Sequence, residues 1–367
     1  MEGVLNCCIK KASAFISSET ETEISALTHA LRASLEYHSG KMYVLLFGIL
    51  TSCRKHFSNT LGEKMRRSNM NWAEAEGIRP DLRQAVDEFK RKYEGETISG
   101  NRGEVLVPRF HYYGTEMMEK AICALLAQKN LLLCGPKATG KNVLAENLAY
   151  LFGRPYWNVS FHVNVDASYL VGTDTFDGDK VVFRPGPIYQ CAKYGGFGIL
   201  DEINMAKNEA MAVLHATLDY RRILEVSGYD RLELHPATRF IGTMNYGYAG
   251  TRELNEALGS RFLVLQMPVI EEKQLEKLLR REYPEISKSM CRQLCAIFYE
   301  LDEKAGNLEI SPRAVDLRGL LDAVSVMKLG LSPLEAMDMG ITNKVFDSTE
   351  RSIIHDVIAA RIPKSWN

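Results

Sequence analysis

The sequence predicts an α/β protein in which a five-stranded parallel sheet is covered by helices, with a helical region before it and a C-terminal α-helical region after it. Three observations predict this. From Val105 onward, apolar segments of strand length alternate with helical patterns, as in a parallel sheet buried on both faces. The first of these segments runs directly into a glycine-rich loop, Gly135 to Asn142, and then into a helix-favouring stretch, Val143 to Tyr150. After Pro268 the alternation stops and charged amphipathic helices follow.

Taken in order, the first hundred residues read as helical. Ile24, Leu27, Leu31 and Leu35 recur at helical spacing behind the acidic start Glu19 to Glu23, and a second helix is expected from Lys41 to about Phe57. Ser58 to Asn71 is polar and basic, and Glu94 to Gly103 carries three glycines among polar residues, so both are linker candidates. The strand candidates are Leu131 to Cys134, Tyr156 to Phe161, Phe197 to Leu200, Phe240 to Met244 and Phe262 to Met267. The later helices are expected over Glu271 to Arg281, Lys288 to Lys304, Pro312 to Leu329 and Ser348 to Ala360. These readings divide the chain into an N-terminal helical region of unknown role (1–100), an α/β core (101–268) and a helical lid (269–367).

With 46% hydrophobic and 25% charged residues, the composition is that of a globular protein. The net charge of −1 gives no global argument for nucleic acid or for an acidic-lipid surface. The densest basic stretch holds Arg54, Lys55, Lys64, Arg66 and Arg67 with only Glu63 against them; it reads as a solvated helix face or linker, with salt-dependent nucleic-acid binding as the other reading. Eight cysteines show neither Cys-x-x-Cys pairs nor zinc spacing, which implies reduced thiols and no metal-thiolate site. The start lacks the basic and apolar regions of a secretion signal, and the longest apolar run, Met42 to Leu50, is shorter than the roughly 20 residues that span a bilayer. The expectation is a cytoplasmic protein away from the membrane.

The chemistry concentrates in the loop and at the strand ends. Gly135-Pro136-Lys137-Ala138-Thr139-Gly140-Lys141-Asn142, followed by Val143, has the glycine and lysine spacing of a phosphate-binding loop. In such a loop backbone N–H groups and a helix N-terminus cradle phosphates, and Lys141 reaches the outer ones. Gly196 to Glu202 is an apolar strand ending in two carboxylates, where Asp201 suits a Mg2+ shell and Glu202 suits polarising a water. Another buried strand ends in Asn245, able to hydrogen-bond that water or a phosphate; Arg252 and Arg261 follow and could offer guanidinium groups to a phosphate in a neighbouring subunit. Ser311-Pro312-Arg313 starts a helix and places a further arginine in its first turn.

From about Val105 to the end, roughly 260 of 367 residues, this order of motifs resembles the AAA+ ATPases of the P-loop NTPase class, and more closely the MoxR and midasin-like group with an insert in helix 2. By that resemblance Gly135 to Asn142 is Walker A, Leu200 to Glu202 ends Walker B, Asn245 is sensor 1, Arg261 is the arginine finger and Arg313 is sensor 2. Leu170 to Thr173 with Phe183 to Ile188 is similar to the group's hairpin insert, Asp201 to Ala206 to its form of Walker B, and Arg252 to its extra arginine. The resemblance implies ATP and Mg2+ as ligands and a ring, usually a hexamer, with each nucleotide between one subunit's Lys141 and the next subunit's arginine. It also implies a von Willebrand A-domain partner and a client that is remodelled or matured, often a metalloenzyme.

Two positions depart from the group. Asn142 stands where Ser or Thr gives a hydroxyl to Mg2+, and its amide oxygen can also ligate that ion. Lys137-Ala138 replaces small or glycine residues, so Lys137 either adds charge near the phosphates or faces solvent. Besides the ATPase reading, the sequence leaves open an assembly module in which ATP drives oligomerisation with little hydrolysis, and a nucleic-acid-directed NTPase.

Overall fold

The computed structural model describes residues 74, 76–94, 105–245 and 253–363. The expected helices before residue 58, the basic stretch at 54–67, the glycine-rich linker at 95–103 and Arg252 lie outside the described residues.

Five parallel strands, β1 (Asn130–Cys134), β2 (Tyr156–Ser160), β5 (Phe197–Asp201), β8 (Arg239–Met244) and β9 (Phe262–Gln266), form one sheet in the order β2-β5-β8-β1-β9. All five expected strands are present. Alternation along them feeds two cores. Leu131, Leu133, Phe197, Ile199 and Ile241 face helices Pro80–Lys92, Thr115–Leu126 and Lys141–Leu151. Leu132, Leu200 and Phe240 face the opposite cluster with Leu170, Ile188 and Leu214. Burial on both faces holds for β1, β5 and the body of β8; the edge strands β2 and β9 are partly open, and Leu263 and Val264 are each 49% exposed.

Helix Pro80–Lys92 begins with proline in its first turn and Asp81 behind it, and ends in Lys90, Arg91 and Lys92, charges that suit the helix dipole at each end. Leu82, Val86 and Phe89 form its buried stripe, and Phe89 meets Phe152 at 5.0 Å between ring centroids. A helix from the expected N-terminal region is thus built into the core of the sheet.

Between the second and third sheet strands in sequence lies the hairpin of β3 (Gly172–Asp177) and β4 (Lys180–Pro185), flanked by helices Ala167–Val171 and Pro187–Tyr194. Its turn uses Gly178 at φ +64°, and its base is held by Phe183 packing on Tyr189 and Tyr229. A second, short hairpin, β6 (Ile223–Leu224) with β7 (Leu232–Glu233), was not expected: two-residue strands carry no readable alternation.

The C-terminal region has its own core, formed by helices Glu272–Glu282, Lys288–Gly306, Leu317–Met327, Pro333–Gly340 and Ser348–Arg361. The first has a capping box of Glu271 and Gln274; Ser287, Ser332 and Asp347 cap three others. The single helix expected over Pro312 to Leu329 is instead a 3-10 turn, Pro312–Ala314, a break at Val315 and Asp316, and helix Leu317–Met327. Helix Pro333–Gly340, absent from the sequence reading, crosses it so closely that a Cβ on Gly319 would collide with the Gly340 carbonyl oxygen. No helix among the described residues is long and apolar enough to cross a membrane.

Candidate nucleotide-binding site

The loop leaves the sheet between two neighbours of β1, with the Gly135 amide donating to the Met244 carbonyl at 3.3 Å and the Met267 amide to the Cys134 carbonyl at 2.7 Å. Gly135 has no room for a side chain: a Cβ there would stand 2.9 Å from the Met267 carbonyl oxygen. Ala138 (φ +60°) and Gly140 (φ +80°) both adopt the left-handed backbone that turns successive amides inward ahead of helix Lys141–Leu151. Ala138 bears the Cβ penalty of that conformation, about 1–2 kcal/mol, inside the phosphate-binding motif.

Lys141 is 7% exposed, and its Nζ donates to the carbonyls of Gly135 (3.0 Å) and Pro136 (2.6 Å) and to Thr139 Oγ1 (3.3 Å). Burial pulls its pKa down to about 8, against the attraction of Cys134, Asp201 and Glu202. The ammonium therefore lies folded onto its own loop, within the field of the strand-end carboxylates. Asn142 and Val143 occupy the first turn of the helix, both half-buried, and Lys137 is exposed.

Asp201, Glu202 and Asn245 come together at the carboxyl ends of the paired strands β5 and β8. Thr243, 1% exposed, ties them: its hydroxyl donates to Asp201 Oδ1 at 2.6 Å and accepts from the Glu202 amide at 3.2 Å. Asn245 Nδ2 donates to Glu202 Oε1 at 3.0 Å, and Glu202 itself sits at φ +52°, a backbone region a non-glycine residue adopts only when its surroundings enforce it. Sequence reasoning named the two carboxylates and Asn245 but missed Thr243, whose signal was a hydroxyl two residues before the strand-end amide on an otherwise apolar strand.

A second missed feature is the strap over the loop. Asn147, 1% exposed in the helix after the loop, accepts from the Tyr112 amide (3.3 Å) and donates to the Phe110 carbonyl (2.8 Å). This presses Tyr112 to the loop, where a Cβ on Gly140 would meet its ring at 3.4 Å. Burial pushes the Tyr112 hydroxyl up to about 12, so it stays protonated at neutral pH. An amide between Leu144, Ala145, Leu148 and Ala149 was the readable sign of Asn147.

The arginines stand apart from the loop. Arg261 precedes β9, whose Phe262 pairs with Asn130 at the far end of β1, so the length of the strand, about 15 Å, separates it from its own loop. Its guanidinium bonds to the His215 carbonyl at 3.0 Å and to the Ala257 carbonyl, and lies 3.9 Å from Asp219. Arg313 is exposed on the 3-10 turn Pro312–Ala314, whose cap is the Ser311 hydroxyl accepting from the Arg313 amide at 3.3 Å. The C-terminal region meets the segment before the sheet through Lys277, whose Nζ is 2.7 Å from Glu76 Oε1 and 4.9 Å from the Tyr113 ring centroid.

A glycine loop opening a helix between parallel strands, with a buried lysine and paired strand-end carboxylates beside it, defines a P-loop α/β protein of the nucleotide-binding class. Comparison with known proteins agrees: residues 130–262 match the profile of the AAA domain, dynein-related subfamily. The chain is 32% identical over 243 residues to the uncharacterized protein YojN of Bacillus subtilis, covering 65% of this chain and 79% of YojN. It is 30% identical over 250 residues to the uncharacterized protein SERP0979 of Staphylococcus epidermidis, covering 66% and 94%. A solved structure from Cytophaga hutchinsonii superposes with a TM-score of 0.39 at 15% identity, over 80% of this chain and 99% of that one. The chain belongs to the AAA+ ATPase family, among relatives that include YojN.

Proposed function

We propose that this protein hydrolyses ATP as a MoxR or midasin-like AAA+ motor, assembled as a homo-oligomeric ring, most simply a hexamer. The observation that carries the reading is the convergence of Lys141, Asp201, Glu202 and Asn245 on the carboxyl ends of neighbouring strands. The loop residues Gly135 to Val143 would hold the phosphates, with Lys141 leaving its own carbonyls for the outer ones. Oxygen donors suit Mg2+, and the Asp201 carboxylate with the Asn142 amide oxygen would hold it. When bound, the ion neutralises charge on the phosphates. Glu202, steadied by Asn245, would accept a proton from the attacking water.

Arg261 lies at the opposite end of the sheet from its own loop, which supports a role across a subunit boundary: it would reach the nucleotide of a neighbour, and Arg252 would serve as the group's extra arginine. Arg313 would carry the nucleotide state to the helical lid (269–367), and residues 1–100 would include the partner-specific part. We further propose a cytoplasmic protein that remodels or matures a client with a von Willebrand A-domain partner, a metalloenzyme being one such client; co-purification with such a partner in ATP checks this.

One observation favours a second reading. Asn142 replaces the usual hydroxyl residue, so an assembly module with little turnover is the alternative. Glu202→Gln separates the two. The motor reading expects lost turnover and an accumulated ATP-bound ring, whereas the assembly reading expects unchanged assembly and no turnover to lose. A nucleic-acid-directed NTPase would instead show salt-dependent DNA binding that raises turnover.

A further inference from the structure

Asn130 is the first residue of β1, at the end of the strand opposite the loop, and opens an otherwise apolar run. It is 8% exposed, a depth at which an amide has to find partners inside the protein. Its Nδ2 finds two, donating to the Leu218 carbonyl at 2.6 Å and to the Arg261 carbonyl at 3.0 Å. These partners lie 88 and 131 residues away in sequence, so the amide joins segments that meet only in the fold.

Both bonds bear on Arg261. Leu218 ends the short helix His215–Leu218, and the last carbonyls of a helix have no partner within it, so Asn130 supplies one. The first residue of that helix, His215, accepts from Arg261 Nε at 3.0 Å, and the Ala257 carbonyl accepts from Nη1. One buried amide therefore holds the main chain of Arg261 and also the helix that anchors its guanidinium. Nη2 is 3.9 Å from the Asp219 carboxylate, longer than a hydrogen bond, which keeps that end of the fork for another acceptor.

We propose that Asn130 is a positioning residue for Arg261, fixing the direction in which the guanidinium reaches across the subunit boundary. This rests on the reading of Arg261 as serving the nucleotide of a neighbour. Without the amide, the segment before β9 and helix His215–Leu218 lose their common tie, and a displacement of about 1 Å in such a group costs on the order of 100-fold in rate. An amide that only supported its own strand would act through the loop of the same chain instead.

The test separates those two roles by mixing full chains that are each inactive alone. Arg261→Ala supplies an intact Lys141, Lys141→Ala supplies an intact Arg261, and phosphate release from Mg·ATP by the mixture is the reference. Asn130→Ala is then placed on one chain at a time. On the Lys141→Ala chain, which gives the arginine, it should cut the restored turnover by about tenfold or more. On the Arg261→Ala chain, which gives only the loop, turnover should stay within about twofold of the reference, as expected for sites that do not interact. Asn130→Leu, which keeps the bulk and lacks the donors, should repeat the asymmetry and guards against a variant that merely fails to fold. Equal loss on both chains, or no loss on either, overturns the positioning role. A reference mixture that restores no turnover overturns the reading of Arg261 itself, and this role with it.

Discussion

Replacing Thr243 with valine removes one hydroxyl and nothing of similar bulk, at a position that is 1% exposed. The hydroxyl makes two bonds that valine cannot, to the Asp201 carboxylate at 2.6 Å and from the Glu202 amide at 3.2 Å. A hydrogen bond to a charged group contributes about 1.5–3 kcal/mol and an orphaned amide costs about 1 kcal/mol. Asp201 is half-buried and keeps some water, so the lower part of that range applies and the sum is about 2–3 kcal/mol. For a chain of 367 residues each kcal/mol corresponds to about 1–2 °C, so Thr243→Val should melt about 2–6 °C lower. The carboxylates would also lose their common anchor, and misplacement on that scale should lower Mg·ATP turnover about 10- to 100-fold. Thr243→Ser, which keeps the hydroxyl, should stay near wild type on both counts. Differential scanning calorimetry and a phosphate-release assay on the three proteins decide it. If Thr243→Val matches wild type in both melting temperature and turnover, the bridging role is wrong.

Three further outcomes follow from the geometry. Because burial lowers the Lys141 pKa to about 8, nucleotide phosphates that restore its charge should draw in a proton at pH 9 and almost none at pH 7. Calorimetry in buffers of differing ionisation enthalpy reads this, and Lys141→Arg, always charged, should show no uptake. Arg261→Ala should lose turnover by about 10³-fold or more, and mixing it with Lys141→Ala chains should restore part, because mixed interfaces of one of the two orientations pair an intact Lys141 with an intact Arg261; a mixture that stays inactive argues against a role across the subunit boundary. Burial, then Arg281, lowers the His111 pKa to about 4. The unfolded chain then binds more protons between pH 6.5 and 4, so stability should fall as pH drops through that window, and urea midpoints of His111→Gln should fall less steeply.

The central sheet was legible because its strands are apolar runs bounded by turns, and β1 with its loop combines a buried run, a glycine with no room for Cβ and a lysine at fixed spacing. Local pattern could not reveal what depends on distant partners. Thr243 matters through a carboxylate 42 residues away in sequence, and Asn147 through backbone groups 35 and 37 residues away. Helix Pro333–Gly340 was missed because it is eight residues long and its buried stripe, Pro333, Ala336, Met337 and Gly340, holds only one large apolar side chain, with Gly340 packed against Gly319 of another helix. The break at Val315 and Asp316 follows from tertiary demands as well, since Asp316 pairs with Lys344 at 2.5 Å. Asn142 could be read as a departure at sequence level; its half-buried place in the first helical turn is compatible with a metal-facing amide.

Steady-state phosphate release from Mg·ATP by the full chain and by Lys141→Ala, measured side by side at saturating nucleotide, bears most directly on the account. Turnover by the wild-type chain that Lys141→Ala abolishes is the predicted result; equal rates from the two proteins would contradict the assignment of the loop and the motor built upon it.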